Sequence, residues 1–110
     1  MISRARQKAD DVWYLNASQT DGWFRLETNY DHWGKVLPID DRRTPAYDCM
    51  RTRLGGSSGY NATGLYNVLS ATPNLNKLTV FTTLMHAEAG RFEAYRQFCE
   101  DSATRRCPLF

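Results

Sequence analysis

The run Leu78-Thr79-Val80-Phe81-Thr82-Thr83-Leu84-Met85 constrains the fold more than any other part of this 110-residue chain. It is rich in β-branched residues and carries apolar side chains on both alternating faces, which predicts a central strand covered on both sides. Such a strand needs helices on one side and a further layer on the other, so the expected class is α+β. Two helices are readable upstream. Thr44-Pro45 starts the first, with Thr44 as the expected cap and Pro45 at the first helical position, where no amide is wasted. Tyr47, Met50 and Leu54 then fall at i, i+3 and i+7, and Gly55-Gly56 can take the left-handed conformation that ends a helix. The second runs from Thr63 or Gly64 to Ser70, with Leu65, Val68 and Leu69 on one side and Pro73 beyond its end.

The flanking segments read less sharply. Asp11 to Leu15 and Trp23 to Thr28 are aromatic and β-branched, and the polar stretch between them ends in Asp21-Gly22, predicting a hairpin. From Asn29 to Asp41 an ordered loop is expected, because Tyr30, Trp33, Leu37 and Ile39 need somewhere to bury. Trp13, Trp23 and Trp33 are expected in the core before any lipid contact. In Arg91 to Phe98, Phe92, Tyr95 and Phe98 recur every third residue, which leaves strand and helix both open.

Composition removes several function classes. Fourteen basic against 12 acidic residues give a net charge of only +2, so nucleic-acid binding by bulk charge is not expected. No apolar run reaches the ~18 residues of a membrane span, and Met1-Ile2-Ser3-Arg4-Ala5-Arg6 is followed by no apolar stretch that would make a signal peptide. His32 and His86 are isolated and the three Cys lack C-x-x-C spacing, so neither a metal site nor a cofactor is expected. The Gly55 to Gly59 loop lacks the Lys-Ser/Thr of a phosphate-binding loop. Cys99 and Cys107 bracket a short polar tail; they either close a small loop in an oxidising compartment or stand as two reduced thiols. Asn16-Ala17-Ser18 and Asn61-Ala62-Thr63 are glycosylation sequons in predicted loops.

The densest set of reactive groups lies between Asn29 and Arg43. An Asn at a strand end is a neutral hydrogen-bond donor suited to an oxyanion, and the planar fork of an Arg can hold a carboxylate or carbonyl. The bland alternative is that Asp40-Asp41-Arg42-Arg43 is a solvated turn whose charges pair with one another.

Thr28-Asn29-Tyr30-Asp31-His32-Trp33, Asp40-Asp41-Arg42-Arg43-Thr44-Pro45-Ala46, Val68-Leu69-Ser70 and the run from Leu75 to Met85 closely resemble, in order and spacing, the C-terminal part of the β-subunit in the acid ceramidase family. Phe92-Glu93-Ala94-Tyr95 and the tail Cys pair add to the likeness; the related N-acylethanolamine-hydrolysing acid amidases resemble the first two strings but less of the tail. The resemblance implies a lysosomal amidase of the N-terminal-nucleophile superfamily with an αββα sandwich, of which residues 1–110 are the C-terminal portion of a single catalytic domain. Self-cleavage there exposes a Cys that attacks the ceramide amide, with its own terminal amine as base, releasing sphingosine and then fatty acid. Asn29 matches the family's oxyanion-stabilising Asn, and Arg42 its active-site Arg. The nucleophilic Cys matches nothing in this chain, so the chain alone is expected to be inactive. The likeness further implies a disulfide between Cys99 and Cys107, an inter-subunit disulfide from Cys49 to the α-subunit, and a glycan at Asn61, with Asn16 matched less closely. Expected partners are ceramide or a related N-acyl lipid, the rest of the β-subunit, the α-subunit and a sphingolipid activator protein. The alternatives are a fragment of an N-acylethanolamine-hydrolysing acid amidase, and a truncated, non-catalytic lipid-binding or decoy subunit.

Overall fold

The computed structural model describes residues 2–5 and 8–97. Among them the order is β1 (Ile2–Ala5), β2 (Lys8–Val12), α1 (Arg43–Asp48), α2 (Ala62–Leu69), β3 (Phe81–His86) and β4 (Arg91–Arg96). The strands form two separate antiparallel pairs, β1 with β2 and β3 with β4. The class is α+β, as the sequence predicts.

Helix α1 begins at Arg43 and continues as a π-helical turn, Cys49–Arg53, ending at Leu54. The cap comes from Asp41, whose Oδ1 accepts the Thr44 amide at 2.9 Å. This corrects the expected Thr44 cap: the helix starts two residues earlier, which places Pro45 third, still among the amides that have no partner in the first turn. Gly55 and Gly56 take positive φ, 68° and 78°, and stop the segment as expected. Helix α2 is capped by Asn61, whose Oδ1 accepts the Gly64 amide at 2.8 Å. The two helical segments meet through a core of Ala46, Cys49, Met50, Leu54 and Val68, which Phe24 completes.

Three expectations about strands and burial change. The segments at Trp13–Leu15 and Trp23–Thr28 form no strand; of the first proposed strand only Asp11 and Val12 are extended, and they pair upstream with Ser3 and Ile2. Packing overrides the local propensity: Phe24 packs on Tyr47 of α1, ring centroids 5.0 Å apart and planes tilted by 54°, instead of entering a ladder. The Leu78 to Met85 run is a strand only from Phe81, and it is covered on one side. Thr82 and Leu84 face inward against α2, while Phe81 and Met85 are 62% and 70% exposed. A two-stranded pair has only one face that α2 can reach. Within the loop after Asn29, Trp33 and Leu37 are exposed and Ile39 is 95% exposed, against the expectation that they bury. Trp13 and Trp23 are half-buried.

The segment left open between strand and helix is β4. Its register sets Phe92 opposite Met85 and Tyr95 opposite Thr82, so the three-residue recurrence puts its two aromatics on opposite faces. The hairpin docks on α2 through Tyr95, 4.9 Å from Tyr66. Next to it the Gln97 side-chain amide donates to the Tyr66 hydroxyl at 3.1 Å. Phe98, Cys99 and Cys107 lie outside the described residues.

Candidate active-site groove

Asn29 and Arg42 are 13 positions apart in sequence and meet on one carboxylate. Asp40 Oδ2 accepts from Asn29 Nδ2 at 2.7 Å, and Asp40 Oδ1 accepts from Arg42 Nε at 3.1 Å. Asp40 is placed by a single 3-10 turn, Pro38–Asp40, in which the fixed φ of Pro38 and the bond from the Asp40 amide to the Leu37 carbonyl, 3.0 Å, set the backbone. Arg42 is placed by the start of α1 immediately after it. Asn29 ends the segment anchored by buried Phe24.

The four charges of the Asp40–Arg43 string have four different tasks, which replaces the bland picture of a self-paired turn. Only Asp40 and Arg42 pair with each other. Asp41 caps α1, and its carboxyl is held below the usual carboxylate range chiefly by the hydrogen bonds from the Thr44 hydroxyl and amide. Arg43 turns away from the groove and pins the preceding loop: Nη1 donates to the carbonyls of His32 and Gly34 at 3.4 and 3.1 Å, and Nη2 to those of Tyr30 and Asp31 at 3.1 and 2.6 Å. A side chain with a planar fork of donors is suited to this task.

Asn29 and Arg42 both line a groove of ≈ 350 Å³ between the loop, α2 and β3. Thr79, Thr82 and Thr83 contribute its other wall. Thr28 also lines it, and its Oγ1 is buried with no hydrogen-bond partner among the described residues. An orphaned hydroxyl beside a donor pair leaves hydrogen-bonding capacity for an occupant. The groove thus sets neutral and cationic donors beside Glu27 on one wall and the hydroxyls of Thr82 and Thr83 on the other, with Leu26, Val68 and Leu69 also lining it, suited to a polar carbonyl group.

The remaining candidates are distributed elsewhere. Asn16 sits in an exposed turn, where its Oδ1 accepts from the Ser18 amide and hydroxyl at 3.2 and 2.6 Å. Asn61 is exposed at the start of α2. Cys49 is 2% exposed and disulfide-bonded. Among the described residues no three His, Cys, Asp or Glu side chains form a metal-binding group, and no helix is long and apolar enough to cross a membrane. His32, isolated in sequence, stacks on Trp13 with ring centroids 4.1 Å apart and bonds Asp11 at 3.0 Å.

Sequence reasoning missed the bridging role of Asp40 and the pinning role of Arg43. Both belong to a string of like residues whose spacing does not say which charge points where. Asp41, an N-cap residue type shortly before Pro45, was the available signal for the cap.

No protein-family model matches the sequence. Acid ceramidase of Mus musculus is 45% identical over 101 residues, covering 92% of this chain and 25% of that protein. The Homo sapiens acid ceramidase is 42% identical over the same length and coverage. An N-acylethanolamine-hydrolyzing acid amidase of Cavia porcellus is 42% identical over 87 residues, 79% of this chain and 24% of that protein. Identity at this level across most of the chain marks it as a relative of the acid amidohydrolases. Within that class the chain is related to the acid ceramidases over the stretch it matches. It spans about a quarter of the length of these relatives.

Proposed function

We propose that this chain is the C-terminal portion of the catalytic β-subunit of an acid-ceramidase-like lysosomal amidohydrolase, and that it supplies the electrophilic wall of the active site. The observation that carries the reading is the pairing of Asn29 and Arg42 on Asp40 at the edge of the groove. In this reading the family's αββα sandwich is completed by polypeptide outside this chain, which also brings the nucleophilic Cys. Cys49 cannot serve, being buried and already oxidised to a disulfide.

The thiolate of that Cys adds to the amide carbonyl of ceramide, forming a C–S bond. The carbonyl oxygen becomes an oxyanion that Asn29 Nδ2–H stabilises without adding a charge. The tetrahedral centre collapses with loss of the amine, which takes up the proton first held by the terminal amine of the nucleophile. Water then cleaves the thioester, giving the fatty acid and restoring the thiol. Arg42 orders the nucleophile region, and the α-subunit and a sphingolipid activator protein are the expected partners.

The test is turnover of a fluorogenic ceramide by the full-length parent protein. Asn29→Ala lowers turnover by about 10²–10³-fold while leaving self-cleavage intact; near-normal turnover overturns the assignment. The 110 residues alone give no hydrolysis, and Asn29-dependent hydrolysis by them would show that the nucleophile lies within this chain. The similarity to the N-acylethanolamine-hydrolyzing amidase supports a second substrate reading, decided by running an N-acylethanolamine beside the ceramide.

A further inference from the structure

We infer that Asp40 is a positioning residue for this site, fixing which edge of the Asn29 amide faces the substrate and holding Arg42 in register with it. The inference rests on the assignment of Asn29 as the oxyanion donor.

The two ends of an Asn side chain are nearly equal in shape and opposite in polarity, so an unconstrained Asn29 could present either its carbonyl or its NH2 to the groove. A carboxylate only accepts hydrogen bonds. With Asp40 Oδ2 at 2.7 Å, the end of Asn29 beside it must be nitrogen. One N–H is then committed to Asp40, and the second, in the plane of the same amide and about 120° away, has its direction fixed. The other carboxylate oxygen takes Arg42 Nε at 3.1 Å, and among the described residues no other hydrogen bond engages the Arg42 guanidinium. Its two Nη groups therefore remain as donors. One rigid planar group, Asp40, thus sets the orientation of two donors carried by different segments.

Asp40 is itself held from both sides. Pro38 and the Asp40-to-Leu37 backbone bond fix the turn before it, while the Asp41 cap fixes the helix start after it. Stability does not explain the arrangement, because the ion pair has side chains 43% and 33% exposed, where such pairs contribute little. A donor held ready costs no reorganisation when charge develops, which is what a positioning contact supplies.

The experiment is a double-mutant cycle in the full-length parent, with ceramide turnover, KM, melting temperature and self-cleavage yield measured for Asp40→Ala, Asp40→Asn, Asn29→Ala and Asn29→Ala/Asp40→Ala. The expected result is that Asp40→Ala lowers kcat by about 10- to 100-fold with little change in KM or melting temperature, the range typical of supporting contacts around a site. In the Asn29→Ala background the same change costs clearly less than that factor, because one of the two groups it positions is gone while Arg42 remains. Asp40→Asn keeps the shape, loses one acceptor, and falls between wild type and Asp40→Ala; it carries the cycle if Asp40→Ala fails to fold. An Asp40 penalty that persists undiminished without Asn29, or turnover within twofold of wild type for both Asp40 variants, overturns the inference. If Asn29→Ala itself retains normal turnover, the oxyanion assignment has failed first, an outcome separate from the failure of Asp40 alone.

Discussion

Arg43 Nη2 donates to the Asp31 carbonyl at 2.6 Å, the shortest of the bonds by which this one guanidinium gathers the Tyr30–Gly34 loop onto the start of α1. Arg42, its neighbour in sequence, reaches only Asp40 among the described residues, in a pair that solvent screens. The two arginines are therefore expected to separate stability from chemistry. Arg43→Ala is expected to destabilise the chain by about 2 kcal/mol, since it strips charged donors from backbone carbonyls. Arg43→Lys recovers little of that, because one ammonium cannot span carbonyls on four residues. With both variants measured by urea denaturation, Arg42→Ala costs less than about 1 kcal/mol, while turnover in the parent protein is expected to collapse. Equal stability losses at the two positions would contradict this division.

Asp41 gives a pH signature. The Thr44 hydroxyl and amide hold its carboxyl below the ordinary value of 3.8. A group whose folded pKa is depressed adds stability above its unfolded pKa and loses it as pH falls through the lowered folded value. The cap is thus fully engaged at neutral pH and in a mildly acidic compartment. Asp41→Ala is expected to lower stability by about 1 kcal/mol there. The gap between wild type and variant closes under strongly acidic conditions, which melting curves across the acid range will read; a gap that widens on acidification contradicts the assignment.

How far the sequence reached depended on whether a residue's role was set locally or by contacts distant in the chain. The helix ended by Gly55-Gly56 and the α2 face of Leu65 and Val68 were legible, because periodicity and capping are local. The Trp23–Thr28 segment was not, because Phe24 is claimed by Tyr47 more than 20 residues away. In the same way the Leu78–Met85 pattern demanded cover on both faces, and α2 lies against one. Asn29 and Arg42 were singled out by residue type and resemblance, but nothing in their spacing revealed that Asp40 joins them. Trp13 stacked on His32 is a further case, since neither residue's neighbours suggest the other.

Gly64 shows how tightly α2 sits on the end of the first helical segment. A Cβ there would lie 2.2 Å from Leu54 Cδ2, and Leu54 is buried with little room to retreat. Gly64→Ala therefore destabilises by about 1–3 kcal/mol through overpacking, even though alanine is the better helix former by about 1 kcal/mol. Adding Leu54→Ala is expected to cost less than the sum of the two single changes. Full additivity in chemical denaturation would place the clash elsewhere.

Asn61 has two separable roles, and the sequon allows them to be pulled apart. Its Oδ1 caps α2 through the Gly64 amide at 2.8 Å, while a glycan would be attached through Nδ2, which donates to the Gly59 carbonyl at 3.2 Å. Attachment leaves Oδ1 in place and one N–H on the nitrogen, so capping and glycosylation are compatible. Thr63→Ala removes the sequon and keeps the cap; Asn61→Ala removes both. In protein made without glycosylation, Asn61→Ala is expected to melt lower, by about 1 kcal/mol, with Thr63→Ala close to wild type. In protein made through a secretory pathway both variants lose the same glycan mass at this position, and the stability difference between them persists because it belongs to the cap. Identical melting of the two unglycosylated variants would remove Asn61 from the helix start.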